Sequence, residues 1–99
     1  PSDSFIFEGF LPRKKGRKSK LYEISQNTKT TILYESPFRI IKTLSDMKET
    51  IGSDRKIAIV REISKIYEEV FRGTIEEAIL EYNERTMKGE FVICIDKAS

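Results

Sequence analysis

The stretch TILYESPFR, residues 31–39, decides the fold of this chain. Its apolar run ends at Glu35, and the next two residues are suited to begin a helix. The hydroxyl of Ser36 can cap a free backbone N–H of the first turn, and Pro37 fits the first helical position. Apolar residues then follow at helical spacing until Gly52, a typical C-terminal cap. The stretch therefore predicts a strand that leads directly into a capped helix.

Tyr34 and Glu35 lie at the carboxyl end of that predicted strand. Ligands of open α/β sheets bind at the edge where parallel strands end. An ordinary strand-to-helix junction has the same pattern, so the position makes these residues candidates for a site without identifying a ligand.

The remaining segments alternate between strand and helix patterns. The run KIAIV, residues 56–60, is nearly continuously apolar, which is typical of a central strand. Thr74 and Glu77 form a capping-box pattern that begins a helix. Further patterns predict strands at residues 5–10, 68–72 and 90–96 and a helix at residues 19–26. The order β-α-β-α-β-β-α-β indicates an α/β fold with a five-stranded mixed sheet and flanking helices. Its predicted core consists of Ile40, Leu44, Ile57, Ile59, Ile79, Val92 and Cys94.

The composition limits the classes of function. The chain has 99 residues, enough for one domain, and no apolar run as long as a membrane span. It has no histidine, which excludes Ser-His triads and nearly all zinc sites, and no metal site is predicted. The single cysteine, Cys94, cannot form an internal disulfide and predicts a small buried residue in a reducing cytoplasm. We expect no signal peptide, because no charged and then apolar leader follows Pro1.

Six cations lie within eight residues, and residues 13–20 are called the basic segment below. In an arbitrary protein such a run is a solvated loop. Clustered cations next to an aromatic strand also suit contact with phosphates.

Four segments resemble, in the same order, motifs of the ribosomal RNA small subunit methyltransferase I family, which belongs to the tetrapyrrole (corrin/porphyrin) methylase superfamily. YESPFR (34–39) is similar to YESPHR, FEGFLPRKKG (7–16) to GFLPRK, REISKIYEEVFRGT (61–74) to ARELTKxxEExxRGT, and KGEFVICID (88–96) to GEFVLVV. Phe38 replaces the usual histidine of the first motif, which removes a titratable group. Ser64 replaces the usual threonine of the third.

The resemblance implies that this is the carboxy-terminal domain of a two-domain methyltransferase, whose amino-terminal domain is absent here. Enzymes of the superfamily bind S-adenosylmethionine in a cleft between the two domains. The positions that match this domain's half of the cofactor site are Tyr34, Glu35, Gly89, Glu90, Phe91 and Val92. The residues expected to contact RNA are Arg13, Lys14, Lys15, Arg17 and Lys18. A charged group follows the third strand and consists of Arg61, Glu62 and Lys65. Such charges are also typical of a solvated loop, whereas the resemblance implies that they position a phosphate-bearing substrate.

The resemblance also implies an activity, which is 2′-O-methylation of a cytidine in 16S ribosomal RNA. The expected partner is 16S rRNA or the small ribosomal subunit, with a possible homodimer, no membrane and a cytoplasmic location. The catalytic base is not identified. A corrin or porphyrin methylase is one alternative, although a tetrapyrrole does not need so large a cationic surface. A non-catalytic RNA-binding or dimerisation module is another, and a glycine-rich α/β domain upstream of Pro1 would argue against it.

Overall fold

The computed structural model describes residues 4–83 and 88–99. The elements in these ranges are β1 (Phe5–Phe10), α1 (Arg17–Gln26), β2 (Thr30–Glu35), α2 (Ile40–Ile51), β3 (Lys56–Ser64), β4 (Tyr67–Thr74), α3 (Ile75–Tyr82) and β5 (Glu90–Ile95). Their order is the predicted one. None of these helices is long and apolar enough to cross a bilayer.

The five strands form one mixed sheet in the order β1-β2-β5-β3-β4, which confirms the predicted fold class. β1 and β2 are parallel, and the other neighbours are antiparallel. Each helix connects two strands of the same direction, and such crossovers are right-handed. The connection through α3 joins strands that run opposite to β1, β2 and β3, and it also crosses the sheet in the opposite direction. These two reversals cancel, so all three helices lie on one face. In agreement, α2 packs against both α1 and α3. We call the opposite side the open face.

The core lies between the sheet and this helix layer. Four of the predicted core residues, Ile40, Leu44, Ile57 and Ile59, are buried as expected. Val92 and Cys94 are only half-buried, and so is Ile79, so for these three the prediction was wrong. Successive strand residues point to opposite faces, and in β5 the helix layer is contacted by Phe91, Ile93 and Ile95.

The helix α2 begins later than predicted. Ser36 does not cap it, because a turn separates the strand from the helix and the N-cap residue is Arg39. The N–H of Arg39 donates to the Ser36 carbonyl at 3.1 Å, which closes the turn. The N–H of Ser36 itself donates to the carboxylate of Glu35 at 2.8 Å. The predicted cap at Gly52 is confirmed, with a left-handed φ of 111°.

The β3–β4 hairpin is longer than the sequence indicated. β3 extends four residues beyond residue 60, so Arg61 and Glu62 lie inside the strand and not in a loop after it. The predicted capping box of α3 is confirmed. The N–H of Glu77 donates to the Thr74 hydroxyl at 3.1 Å, and the N–H of Thr74 donates to the Glu77 carboxylate at 2.9 Å.

Candidate functional site

The topology brings the predicted functional groups to one edge of the sheet. Because β1, β2 and β3 run in the same direction, they end at one edge, where β4 and β5 begin. The basic segment leaves this edge after Phe10, β2 ends there at Glu35, and β5 begins there at Glu90. Lys65 lies there in the β3–β4 turn. We call this the site edge.

The residues predicted to contact the cofactor are neighbours across β2 and β5. Tyr34 lies opposite Val92, and Glu35 lies opposite Phe91. The first pair faces the open side of the sheet, where Tyr34 is 41% exposed. The second pair faces the helix layer, and the Phe91 ring is part of the core. A ligand at this edge would therefore meet the Tyr34 and Val92 side chains.

The carboxylate of Glu35 is buried and has partners within the protein. One oxygen accepts the Ser36 N–H, and the other accepts the hydroxyl of Thr43 at 2.6 Å. The same hydroxyl accepts a hydrogen bond from Arg17 Nη2 at 2.9 Å. A buried polar chain thus joins the end of β2 to the start of α1 and holds the turn after Glu35 in place.

Arg17 is therefore a structural residue, which corrects its predicted contact with RNA. It is only 7% exposed, and its Nε pairs with Asp46 at 2.9 Å. Its Nη1 donates to the carbonyl of Pro12 at 2.9 Å. With Thr43 as the third partner, each nitrogen of the guanidinium donates one hydrogen bond within the protein. It fixes the start of the basic segment to the helix layer.

The other cations of the basic segment differ in availability. Lys20 bridges Glu8 at 3.2 Å and Glu23 at 3.3 Å. Both hydrogen bonds raise the pKa of the Lys20 amine, and the bond to Glu8 has the larger effect. Four side chains are exposed and form no ion pair with a carboxylate in the described ranges, namely Arg13, Lys14, Lys15 and Lys18. They are the cations that remain available to an anionic ligand.

Arg61, Glu62 and Lys65 do not form one charged group, which corrects that prediction. Arg61 is 8% exposed and points to the helix side. There it pairs with Glu69 at 3.1 Å and donates to the carbonyl of Lys88 at 3.1 Å. Glu62 points to the open face, and Lys65 is exposed in the hairpin turn. Arg61 thus ties the residue before Gly89 to the sheet.

Gly89 is required by the backbone that precedes β5. Its φ is +92°, and an added Cβ would lie 2.1 Å from the carbonyl oxygen of Glu62. No side chain fits there without movement of β3. This close approach explains the glycine without a ligand.

The open face carries a patch of exposed aromatic rings that the sequence pattern did not predict. Phe5, Phe7 and Phe10 are each 61–62% exposed. Tyr34 contacts two of them edge-to-face, with ring centroids 5.2 Å from Phe7 and 5.7 Å from Phe10. A bulge at Gly9, with φ +68°, turns Phe10 to the same face as Phe7 although they are three residues apart. We call these four rings the aromatic surface.

Comparison with known proteins identifies the family. Residues 2–79 match the family described as Tetrapyrrole (Corrin/Porphyrin) Methylases. The chain belongs to the tetrapyrrole methylase family. It is also similar to curated proteins named Ribosomal RNA small subunit methyltransferase I, which confirms the resemblance seen in the four motifs. Identity is 40% over 99 residues to the Synechocystis sp. protein and 45% over 97 residues to that of Halalkalibacterium halodurans.

The similarity covers nearly all of this tetrapyrrole methylase chain but a minority of its relatives. It spans 99% of the chain against 36% of the Synechocystis protein, and 97% against 33% of the Halalkalibacterium protein. Among solved structures, the methyltransferase CobJ superposes with a TM-score of 0.63 at 15% identity, over 98% of this chain and 42% of that one. Uroporphyrin-III C-methyl transferase from Thermus thermophilus, complexed with S-adenyl homocysteine, gives 0.58 at 15% identity, over 92% and 41%. These likenesses show the fold.

In this tetrapyrrole methylase chain the exposed members of the predicted cofactor residues, Tyr34 and Glu90, lie on an open surface, whereas Glu35 and Phe91 are buried. One groove of about 380 Å³ lies between α1 and α2, beside Arg17 and Asp46. Another of about 410 Å³ lies towards the far edge of the sheet, beside Thr30 and Arg72. Neither groove is lined by Tyr34 or the start of β5. The predicted cofactor positions therefore lie outside both grooves.

Proposed function

We propose that this chain is the carboxy-terminal domain of an S-adenosylmethionine-dependent methyltransferase that methylates the 2′-hydroxyl of a cytidine in 16S ribosomal RNA. The observation that carries the proposal is the convergence of the exposed cations and of the Tyr34 strand end at one edge of the sheet. Identity of 40–46% to proteins named as small subunit rRNA methyltransferases supports the same class of substrate. The solved tetrapyrrole enzymes are 14–15% identical and support only the fold.

The residues at the site edge fit half of an S-adenosylmethionine site. Tyr34 and Val92 offer an apolar surface of the kind an adenine ring requires, and the peptide groups of Gly89 and Glu90 lie beside it. Glu35 and Phe91 would act through their backbone, because both side chains are buried. An amino-terminal domain would supply the opposite wall.

The cofactor would supply an electrophilic methyl group on a sulfonium. The ribose oxygen would form its bond to the methyl carbon as the carbon–sulfur bond breaks, and the hydroxyl proton would pass to water. The contribution of this domain is to orient both reactants. The exposed cations would hold the RNA backbone, and Tyr34 would hold the adenosine. Phe38 lies in the turn after β2 and is 95% exposed, so it supplies no acid–base group where relatives have histidine.

The test uses the full-length protein that contains this chain, with small ribosomal subunits and tritiated S-adenosylmethionine. The label is expected in 16S rRNA, as 2′-O-methylcytidine in a nucleoside digest. Tyr34→Ala should raise KM for the cofactor, whereas Tyr22→Ala, exposed on α1, should leave it unchanged. A label on a tetrapyrrole would establish the first alternative, and RNA binding without methyl transfer would establish the non-catalytic module. The homodimer and the cytoplasmic location stay predictions.

A further inference from the structure

The rings of the aromatic surface are exposed to solvent although they are apolar. Phe5, Phe7 and Phe10 expose more than half of their area on the open face. Exposed rings on adjacent strands of a sheet are a platform on which unpaired bases stack. Each ring of such a platform accepts any base, because every base has a π-face.

We propose that the aromatic surface stacks unpaired bases of the RNA substrate, and that it forms one single-stranded RNA site with the exposed cations of the basic segment. This inference rests on the proposed RNA substrate. The chain connects the two parts directly, since Phe10 is followed after two residues by Arg13. The three residues from Phe10 to Arg13 span at most about 11 Å, so a phosphate held by Arg13 leaves the attached base within reach of the Phe10 ring.

Charge favours RNA on one half of the open face. Across the site edge, Glu62 lies directly opposite both Glu68 and Glu90, and all three carboxylates are exposed. This acidic row on β3, β4 and β5 repels phosphates, whereas the cations lie beside β1. This difference in charge directs an RNA strand to the β1–β2 half of the open face, where the aromatic rings lie.

The placement of Tyr34 joins base stacking to the proposed chemistry. Tyr34 contacts Phe7 and Phe10 through its edges and also belongs to the residues proposed to hold the methyl donor. A base stacked on Phe10 therefore lies next to the donor site. The aromatic surface would hold a nucleotide at or beside the one that is methylated.

The test measures binding of a fluorescein-labelled, twelve-nucleotide single-stranded RNA of mixed sequence to the full-length protein by anisotropy. A second oligonucleotide carries 2-aminopurine at an internal position, because stacking quenches its fluorescence. Phe10→Leu keeps an apolar side chain but removes the ring, and Phe10→Trp restores a ring. The matched control is Tyr22→Leu on α1, since Tyr22 is as exposed as Phe10, at 62%.

Phe10→Leu is expected to weaken binding about 5- to 100-fold and to abolish most of the 2-aminopurine quenching, since stacking on one ring changes affinity by that order. Phe10→Trp should restore both, and Tyr22→Leu should change neither. Equal binding by Phe10→Leu and the unaltered protein would overturn the proposal. A change in oligomeric mass in Phe10→Leu, measured by light scattering, with RNA binding intact would assign the surface to a second copy. Binding that depends on Phe10 without methyl transfer to rRNA would refute the proposed function while sustaining the stacking site.

Discussion

Replacement of Thr43 by valine tests the buried polar chain at the site edge. The Thr43 hydroxyl is fully buried, donates to the Glu35 carboxylate at 2.6 Å and accepts from Arg17 at 2.9 Å. Valine has nearly the same shape, so the change removes both hydrogen bonds without leaving a cavity. Two charged groups would then lose a buried partner.

The expected loss follows from these two contacts. A hydrogen bond to a charged group contributes about 1.5–3 kcal/mol, and direct pairing of Arg17 with Glu35 would recover part of it. We expect Thr43→Val to lower the free energy of unfolding by about 2–4 kcal/mol, a large fraction of the roughly 5–15 kcal/mol typical of a domain. Thr43→Ser keeps the hydroxyl and should lose only about 1 kcal/mol for the missing methyl group.

Urea unfolding followed by circular dichroism measures this difference. The midpoint should fall with an unchanged slope, because the native and unfolded surfaces stay the same. A loss for the valine variant no larger than that of the serine variant would show that the hydroxyl contributes nothing. The network would then be an incidental arrangement and not the anchor of the turn after Glu35.

Four further outcomes are expected. Leu44→Ala should lower the free energy of unfolding by about 2–5 kcal/mol, because Leu44 is fully buried; a loss below about 0.5 kcal/mol would contradict this. Burial raises the pKa of the Cys94 thiol. Alkylation should therefore reach half its maximal rate at higher pH in the folded than in the unfolded chain, and the folded state should lose stability as pH rises above the ordinary thiol pKa. Equal pH profiles of alkylation for the two states would refute this. The 99-residue chain alone should show no S-adenosylmethionine binding in calorimetry at tens of micromolar, because half of the proposed site leaves the ligand half hydrated. Tight binding would show that the whole site lies within these 99 residues. Replacement of the three exposed cations at residues 13–15 by glutamate should flatten the slope of log affinity for RNA against log salt by about 2 and leave cofactor affinity unchanged. Unchanged RNA binding with a loss of cofactor affinity would assign the segment to the cofactor.

The order of elements was predictable because strands and helices impose different periods on the sequence. The capping box at Thr74 and the terminal Gly52 are local signals, and both are confirmed. The start of α2 was not predictable in this way. The turn there depends on the Glu35 carboxylate, which occupies the Ser36 N–H and is itself held by Thr43, eight residues further along. A local pattern contains no information about such a partner.

The face of β5 and the role of Arg17 show the same limit. The segment FVICI is apolar throughout, so alternation cannot tell which side chains reach the core, and the wrong set was assigned to it. Arg17 is one of six similar cations in the sequence. Its contacts with Asp46 and Thr43, which belong to the distant helix α2, separate it from the exposed ones.

The site edge divides its charged residues into two physical kinds. Arg17 and Glu35 are buried and engaged with fixed partners, so they set the path of the chain on both sides of the edge. The exposed cations begin directly after Pro12, whose carbonyl Arg17 holds. Fixing that point lowers the conformational freedom of the segment before any ligand arrives, and less entropy is then lost when phosphates bind. With the proposed RNA substrate, Arg17 would favour binding by preorganising its exposed neighbours, without a phosphate contact of its own.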